Sequence, residues 1–242
     1  MHLLIDSRCF YKYNIRMKES IEAVAFDIDG TLYPSWSLYV RLIPYFVRNI
    51  RFFLHYNAVR KILHRTAPLA DFYEYQGRLL AERLHISAED AKSLIDDKVY
   101  GRLSPYFDSI KPFRHAAETV RALKEAGLKI AILSDFPPHQ KGNVWGIADL
   151  CDVILGSEET GALKPSLYAF GMLSHALGVP REKILYVGNS MRCDVFGAKN
   201  AGMKVAFKMG FWRALLRRGA KDADINFYSY CALRDAVLKG SE

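Results

Sequence analysis

The chain has 242 residues, of which half are hydrophobic and a quarter are charged, and its net charge at pH 7 is +8. This length suits one sizeable core or a core with a smaller insert, and no apolar run reaches the roughly 18 residues that a membrane span needs. The positive charge favours an anionic partner without distinguishing a phosphate ester from nucleic acid or an anionic membrane.

The N-terminus and the cysteines give no sign of export. The four cysteines lack CxxC spacing, which argues against a zinc ribbon and a disulfide framework. The first residues contain an early acid and no sustained apolar stretch, so they do not match a signal peptide, and a cytoplasmic location is expected. We predict that residues 1–16 are a peripheral extension ahead of Met17.

The first predicted strand ends in two carboxylates. Residues 21–26 form a short apolar run typical of a buried strand, and Asp27, Asp29 and Gly30 follow it directly. A strand that ends in acids and then turns on a glycine is typical of the ligand-binding edge of an open α/β sheet. A plain surface turn is the alternative, because Asp and Gly are common turn residues.

Residues 34–110 show helical periodicity and no strand pattern. Helices are predicted over residues 35–54, with Pro44 as a kink, and over residues 68–84 and 87–100. This region therefore indicates an all-helical insert between the first strand and the rest of the chain.

From residue 111 onward, strands alternate with helices. The predicted strands are 128–133, 152–155, 184–187, 204–207 and 225–228, and the predicted helices are 115–126, 166–177, 194–201 and 231–238. This alternation implies right-handed crossovers and a parallel sheet. We predict an α/β fold, in which residues 17–33 and 111–242 form a Rossmann-like parallel sheet with helices on both faces.

Polar side chains follow the later strands as well. Ser134 ends the second predicted strand, Asn189 follows the fourth, Lys164 lies in a loop ahead of a helix, and Asp194 comes shortly after Asn189. Because the carboxyl ends of parallel strands share one edge, these groups should meet the first two acids there. Taken singly, each has a plainer explanation as a turn cap, a solvated lysine or a helix-starting acid.

Four segments in this order resemble the signature motifs of the haloacid dehalogenase superfamily. They are DIDGTL at residues 27–32, Ser134, Lys164-Pro165 and GNSMRCD at residues 188–194. The resemblance covers residues 21 to about 240 and implies a magnesium-dependent phosphatase acting on a small phosphomonoester. It also implies that the helical insert is a cap domain that closes over the site and selects the substrate.

The resemblance assigns a role to each catalytic candidate. Asp27 would attack phosphorus and form an aspartyl-phosphate, and Asp29 would act as general acid and then general base. Ser134 would donate a hydrogen bond to a phosphoryl oxygen, and Lys164 would screen negative charge. Asp29 also marks the phosphatase-like branch, since the dehalogenases lack this second acid.

The resemblance also implies a Mg²⁺ site. Its ligands would be Asp27, the main-chain carbonyl of Asp29, Asn189 and Asp194, all of which offer oxygen atoms. The family usually has an acid at the position of Asn189. We therefore expect weaker or differently arranged magnesium binding rather than its loss.

Two other functions stay open. A phosphosugar mutase would carry the same motifs, and a binding or regulatory module could use an inactive phosphatase scaffold, as Asn189 would suggest. For an active hydrolase, a nucleotide or a sugar phosphate is the first substrate class to test.

The helical insert is strongly basic near its start. Between residues 36 and 66 it contains no acid, and its basic residues are Arg41, Arg48, Arg51, Arg60, Lys61 and Arg65. They could recognise an anionic substrate, or they could form a membrane-surface helix with the neighbouring aromatics. The favoured interpretation is that the aromatics form the core of the insert and the cations its solvated face, with membrane contact ranked last. Nucleic acid is not an expected partner, because no recognised binding motif is present.

Overall fold

The computed structural model describes residues 21–107 and 109–238, and the predicted N-terminal extension, residues 1–16, lies outside them. Its strands form one parallel sheet in the order β3-β2-β1-β4-β5-β6, which confirms the predicted α/β fold. The strands are β1 (Ala23–Phe26), β2 (Lys129–Ser134), β3 (Val153–Gly156), β4 (Ile184–Gly188), β5 (Lys204–Lys208) and β6 (Ile225–Phe227).

The α-helices connect these strands, and two short π-helical stretches extend them. The insert contains α1 (Ser35–Arg48), α2 (Ile50–Leu63), α3 (Phe72–Leu84), α4 (Ala88–Ile95), a π-helical stretch (Asp96–Gly101) and α5 (Arg102–Phe107). The later helices are α6 (Ala116–Glu125), α7 (Leu167–Leu177), a π-helical stretch (Met191–Phe196), α8 (Gly197–Asn200), α9 (Phe211–Leu215) and α10 (Tyr230–Leu238).

The predicted helical segment over residues 35–54, with its kink at Pro44, is divided into α1 and α2 by a break at a different position. Helix α1 ends at Arg48, and the next residue, Asn49, has a non-helical backbone and an N–H group that donates to the Tyr45 and Phe46 carbonyl groups. Pro44 lies inside α1, and the break falls five residues later.

The next helix begins at Phe72 rather than at residue 68. Asp71 caps it, because its carboxylate accepts a hydrogen bond from the Glu74 backbone N–H group at 2.9 Å. The preceding loop is held differently, since the Leu69 N–H group donates to the Gly161 carbonyl at 3.0 Å. The helical path from Ala88 runs on to Phe107, beyond the predicted end at residue 100.

Alternating side chains of the strands fill two cores, one on each face of the sheet. On β1, Val24 and Phe26 pack in one core, whereas Ala23 and Ala25 pack in the other. Helices α6 and α10 cover the first face, and α7 and α8 cover the second. A third apolar core lies largely within the helical insert and includes Phe53, Tyr56, Leu63, Leu80 and Val99. Among the described residues, no helix is both long and apolar enough to cross a membrane.

Candidate active site

The predicted site residues meet at the carboxyl end of the sheet. Asp27 directly follows β1, Ser134 is the last residue of β2, and Asn189 follows β4. Since β1 pairs with both β2 and β4, the three strand ends lie side by side. Parallel pairing thus places groups that are more than 100 residues apart at one edge, as the sequence predicted.

Lys164 joins two carboxylates at the centre of the site. Its Nζ atom donates to Asp27 Oδ1 and to Asp194 Oδ1, both at 2.8 Å, and to the Tyr186 hydroxyl at 3.0 Å. All four side chains are buried. Buried charges are tolerated when they are paired and hydrogen-bonded, and the ammonium group meets this condition for both acids.

The pKa values in this group reflect burial and pairing. Burial raises the pKa of Asp27 to about 7, and the positive charge of Lys164 acts in the opposite direction. Burial by itself would lower the pKa of Lys164, but Asp194 and Asp27 raise it well above its usual value. Lys164 is therefore a permanent cation beside the nucleophile candidate.

Asp29 is held by groups that the sequence analysis did not single out. Its Oδ1 atom accepts from the Tyr33 hydroxyl at 2.5 Å, and its Oδ2 atom accepts from Lys141 Nζ at 2.8 Å. Lys141 also donates to Ser134 Oγ at 3.2 Å, and that oxygen lies 3.5 Å from Asp29 Oδ2. Lys141 lies in a short 3₁₀ turn after β2 that carries no motif, so only the tertiary structure shows its role.

The turn after β1 requires glycine at position 30. Its φ angle is +84°, and a Cβ atom there would lie 2.1 Å from the Asn189 side-chain nitrogen. The next residue, Thr31, donates to Asp27 Oδ2 at 2.9 Å and lies 3.4 Å from Asn189 Oδ1. One hydroxyl group thus brings an oxygen of the nucleophile candidate close to the amide oxygen of Asn189.

These oxygen atoms form a donor set of the type that Mg²⁺ prefers. The carboxylate of Asp194 is partly engaged, because its Oδ2 atom accepts the backbone N–H groups of Asn189 at 3.0 Å and Ser190 at 2.8 Å. Its Oδ1 atom accepts from Lys164 and retains capacity for one further interaction. Mg²⁺ is commonly bound by one or two carboxylates together with waters and substrate phosphate, so the set fits this ion with Asp27 as its most available carboxylate.

Asp135 positions the backbone of Lys164. Its Oδ1 atom accepts from the Lys164 backbone N–H group at 3.0 Å and from Ser157 Oγ at 2.7 Å. Burial acts to raise the pKa of Asp135, but the positive charge of Lys164, with smaller contributions from His64 and Arg60, brings it below its usual value. No sequence motif assigns a role to this acid.

Helix α2 of the insert contacts the loop that carries Lys164. Arg60 forms a buried ion pair with Glu158, whose other oxygen accepts from the Tyr100 hydroxyl at 2.7 Å. The Nδ1 atom of His64 lies 2.7 Å from the Lys164 carbonyl oxygen. Because a carbonyl oxygen only accepts, Nδ1–H of His64 is the donor. The expectation that the cations of the insert form a solvated face is thus wrong for Arg60.

A cavity of about 440 Å³ opens beside this contact. Its lining includes Tyr73 and Lys92 from the insert, Tyr100 from its π-helical stretch, and His139 from the turn after β2. It contains none of the predicted catalytic residues, but it adjoins Tyr100 and therefore the Glu158 ion pair. The insert thus contacts the sheet domain through a buried ion pair, and a partly polar cavity lined by residues of both parts lies beside this contact.

Comparisons with known proteins agree with this architecture. A family model for haloacid dehalogenase-like hydrolases matches residues 21–202. The chain is 30% identical to a glyceraldehyde 3-phosphate phosphatase of Methanopyrus kandleri, over 76% of this chain and 82% of the relative. It is 27% identical to pyrophosphatase PpaX of Halalkalibacterium halodurans, over 77% and 82% of the two chains. It is also 27% identical to haloacetate dehalogenase H-2 of a Moraxella species, over 78% and 86%.

A solved structure supports the fold independently. The crystal structure of a HAD phosphatase from Thermococcus onnurineus matches with a TM-score of 0.60 and 22% identity, over 90% of this chain and 98% of that chain. At this identity the likeness concerns the fold.

Proposed function

Because the chain belongs to the haloacid dehalogenase-like hydrolases, we propose that it hydrolyses a small phosphomonoester through an aspartyl-phosphate on Asp27, with Mg²⁺ as its cofactor. The observation that carries this proposal is the second carboxylate, Asp29. It lies at the same strand end as Asp27, and Tyr33 and Lys141 hold both of its oxygen atoms. Expelling an alkoxide from phosphorus requires a proton donor, and we assign this role to Asp29.

In the first half-reaction, a carboxylate oxygen of Asp27 forms a bond to phosphorus. The bond between phosphorus and the ester oxygen breaks, and Asp29 gives its proton to that leaving oxygen. Lys164 stays next to Asp27 and offsets the charge that the phosphoryl group brings, while Ser134 Oγ donates a hydrogen bond to a phosphoryl oxygen. Bound Mg²⁺ would neutralise part of the phosphoryl charge.

In the second half-reaction, Asp29 is a carboxylate and takes a proton from water. The water oxygen bonds to phosphorus, and the bond between phosphorus and Asp27 breaks. Inorganic phosphate leaves and both carboxyl groups return to their starting states. Throughout, Asp27, the main-chain carbonyl of Asp29, Asn189 and Asp194 would hold the metal ion.

A small phosphorylated metabolite, such as a sugar phosphate or a nucleotide, is the substrate class that we propose. The helical insert, residues 34–110, would act as the cap that contacts the leaving group. Support comes from its contact with the Lys164 loop through His64, and from relatives named for action on glyceraldehyde 3-phosphate and on ribulose 1,5-bisphosphate.

Hydrolytic dehalogenation is the second candidate, because relatives of similar identity are named (S)-2-haloacid dehalogenase. In that reaction the Asp27 carboxylate would attack carbon and a halide ion would leave without a proton. Asp29 would then have no acid role, so the two reactions make opposite predictions for Asp29→Asn.

The deciding experiment measures phosphate release from an aryl phosphate ester with Mg²⁺, and again after chelation with EDTA. We expect turnover that EDTA abolishes, that Asp27→Asn eliminates and that Asp29→Asn slows by roughly 10²- to 10⁴-fold for a substrate with a poor leaving group. Halide release from a 2-haloalkanoate that survives Asp29→Asn, without phosphate release, would replace the proposal with dehalogenation.

Two further outcomes would also decide against hydrolysis. A sugar phosphate isomerised without release of phosphate would indicate a phosphosugar mutase. Absence of Asp27-dependent turnover on a panel of phosphate esters and haloacids would indicate a binding or regulatory module.

A further inference from the structure

Helix α1 exposes an apolar stripe along its length. The exposed residues Trp36, Val40, Ile43 and Val47 recur every three or four positions and so share one side of the helix, with Trp36 and Val47 each 68% exposed. Leu38 and Leu42, on the other side, are buried. The stripe therefore exists in addition to the side that packs against the protein.

Helix α2 also carries exposed aliphatic side chains. Phe52, Phe53 and Tyr56 are buried, as expected for aromatics in the core of the insert. Ile50 and Leu54, four positions apart, are exposed instead. Burial within the insert thus explains only part of its apolar content. An exposed apolar surface of this continuity is unusual in a monomer and marks an interaction site.

The charged residues within α1 and α2 themselves all have the same sign. No acidic residue occurs from position 30 to position 70. Exposed cations of α1, α2 and the following loop are Arg41, Arg48, Arg51, Lys61 and Arg65. An apolar stripe beside arginine and lysine, with Trp36 at its start, is the composition of helices that lie in a membrane interface.

A second segment has the same character. Phe211, Trp212, Leu215 and Leu216 are exposed in and just after α9, with Trp212 69% exposed. The stretch from position 195 to position 221 contains no acid, and its exposed cations include Arg213, Arg218 and Lys221. Helix α9 follows β5 and α1 follows β1, so both leave the sheet at its carboxyl edge.

We propose that the exposed apolar residues of α1 and α2, namely Trp36, Val40, Ile43, Val47, Ile50 and Leu54, bind the surface of an anionic lipid bilayer. The apolar side chains would enter the interface, and the neighbouring cations would contact lipid headgroups. Basic residues near an anionic membrane are attracted to its surface charge, and salt screens this attraction. A second copy of the chain fits this face less well, because it would bring like charges together, whereas anionic lipid supplies the opposite charge.

The test is co-sedimentation of the full chain with vesicles of phosphatidylcholine, alone or mixed with phosphatidylglycerol. We expect binding to the mixed vesicles, little binding to neutral ones, and release as the salt concentration rises. Ile43→Ser/Val47→Ser should weaken binding by roughly tenfold or more, because two aliphatic side chains no longer leave water. Arg48→Glu/Arg51→Glu should weaken it as well.

The matched control is Ile86→Ser/Ile154→Ser, which removes two partly exposed isoleucines away from the stripe and should leave vesicle binding unchanged. Circular dichroism and urea unfolding report that each apolar variant is folded. Equal loss of binding in Ile43→Ser/Val47→Ser and in Ile86→Ser/Ile154→Ser, or equal binding to neutral vesicles, would overturn the proposal. A dimer in solution that Ile43→Ser/Val47→Ser abolishes, without vesicle binding, would assign the face to a second copy.

Discussion

Lys208, at the end of β5, is a buried cation whose removal should stabilise the protein. Its residue surface is 3% exposed, its Nζ atom donates to the Met209 carbonyl at 3.1 Å, and no salt bridge reaches it among the described residues. Its closest aromatic ring, that of Phe113, has its centroid 4.2 Å from Nζ. Burial lowers the pKa of Lys208 from 10.5 to about 8.

This shift sets the size and the sign of the effect. The unfolded and folded pKa values differ by roughly 2.5, which corresponds to about 3 kcal/mol. The folded protein is destabilised by this amount below pH 8, where the buried ammonium group is charged. Lys208→Met keeps an unbranched apolar side chain and removes this charge, so the free energy of unfolding at pH 7 should rise by up to about 3 kcal/mol.

The assay is urea unfolding at a series of pH values. Between the folded pKa of about 8 and the unfolded pKa of 10.5, the unfolded chain binds more protons, so the stability of the parent protein should rise with pH. The difference from Lys208→Met should shrink over the same window. Lys221→Met, at an exposed lysine, is the control and should change little. A Lys208→Met protein that is less stable than the parent at pH 7 would refute the reasoning.

Three other substitutions test the site and its contact with the helical insert. Lys141→Met should lower kcat by roughly 10- to 100-fold because it frees the acid-base carboxylate, and steady-state kinetics should show little further loss when Lys141→Met is added to Asp29→Asn. Arg60→Met should lower the free energy of unfolding, measured in urea, by about 3–5 kcal/mol because Glu158 is left as an unpaired buried charge. Adding Glu158→Gln to this variant should restore part of the lost stability. Asn189→Asp should lower the Mg²⁺ concentration that gives half-maximal activity, and an unchanged or higher requirement would contradict the proposed ligand set.

Local sequence patterns were enough to predict the sheet and its polar edge. Short apolar runs alternating with helical periodicity indicated parallel strands, because both faces of such strands must be buried. Asp27, Ser134 and Asn189 each follow one of these runs, so the common edge of the strands brought them together without knowledge of any contact. The tight turn at Gly30 was also visible, although its close approach to Asn189 was not.

Helix boundaries in the insert depended on contacts that the local pattern does not contain. The helical pattern over residues 35–54 continues through Asn49, and the start at Phe72 is set by one carboxylate, that of Asp71. The exposed stripe of α1 was likewise hidden, because apolar periodicity is the same whether a helix face meets a core or solvent.

Only the tertiary structure decided which charged groups serve the site. Lys141 is one lysine among many in the sequence, yet the turn after β2 buries it against Asp29. Arg60 belongs to a run of basic residues, and its buried ion pair with Glu158 distinguishes it from its solvated neighbours. The order of residues along the chain determines which groups the strands bring to a shared edge. The partner of a long flexible side chain depends instead on the tertiary structure, because a charged group needs an ion pair only where the fold buries it.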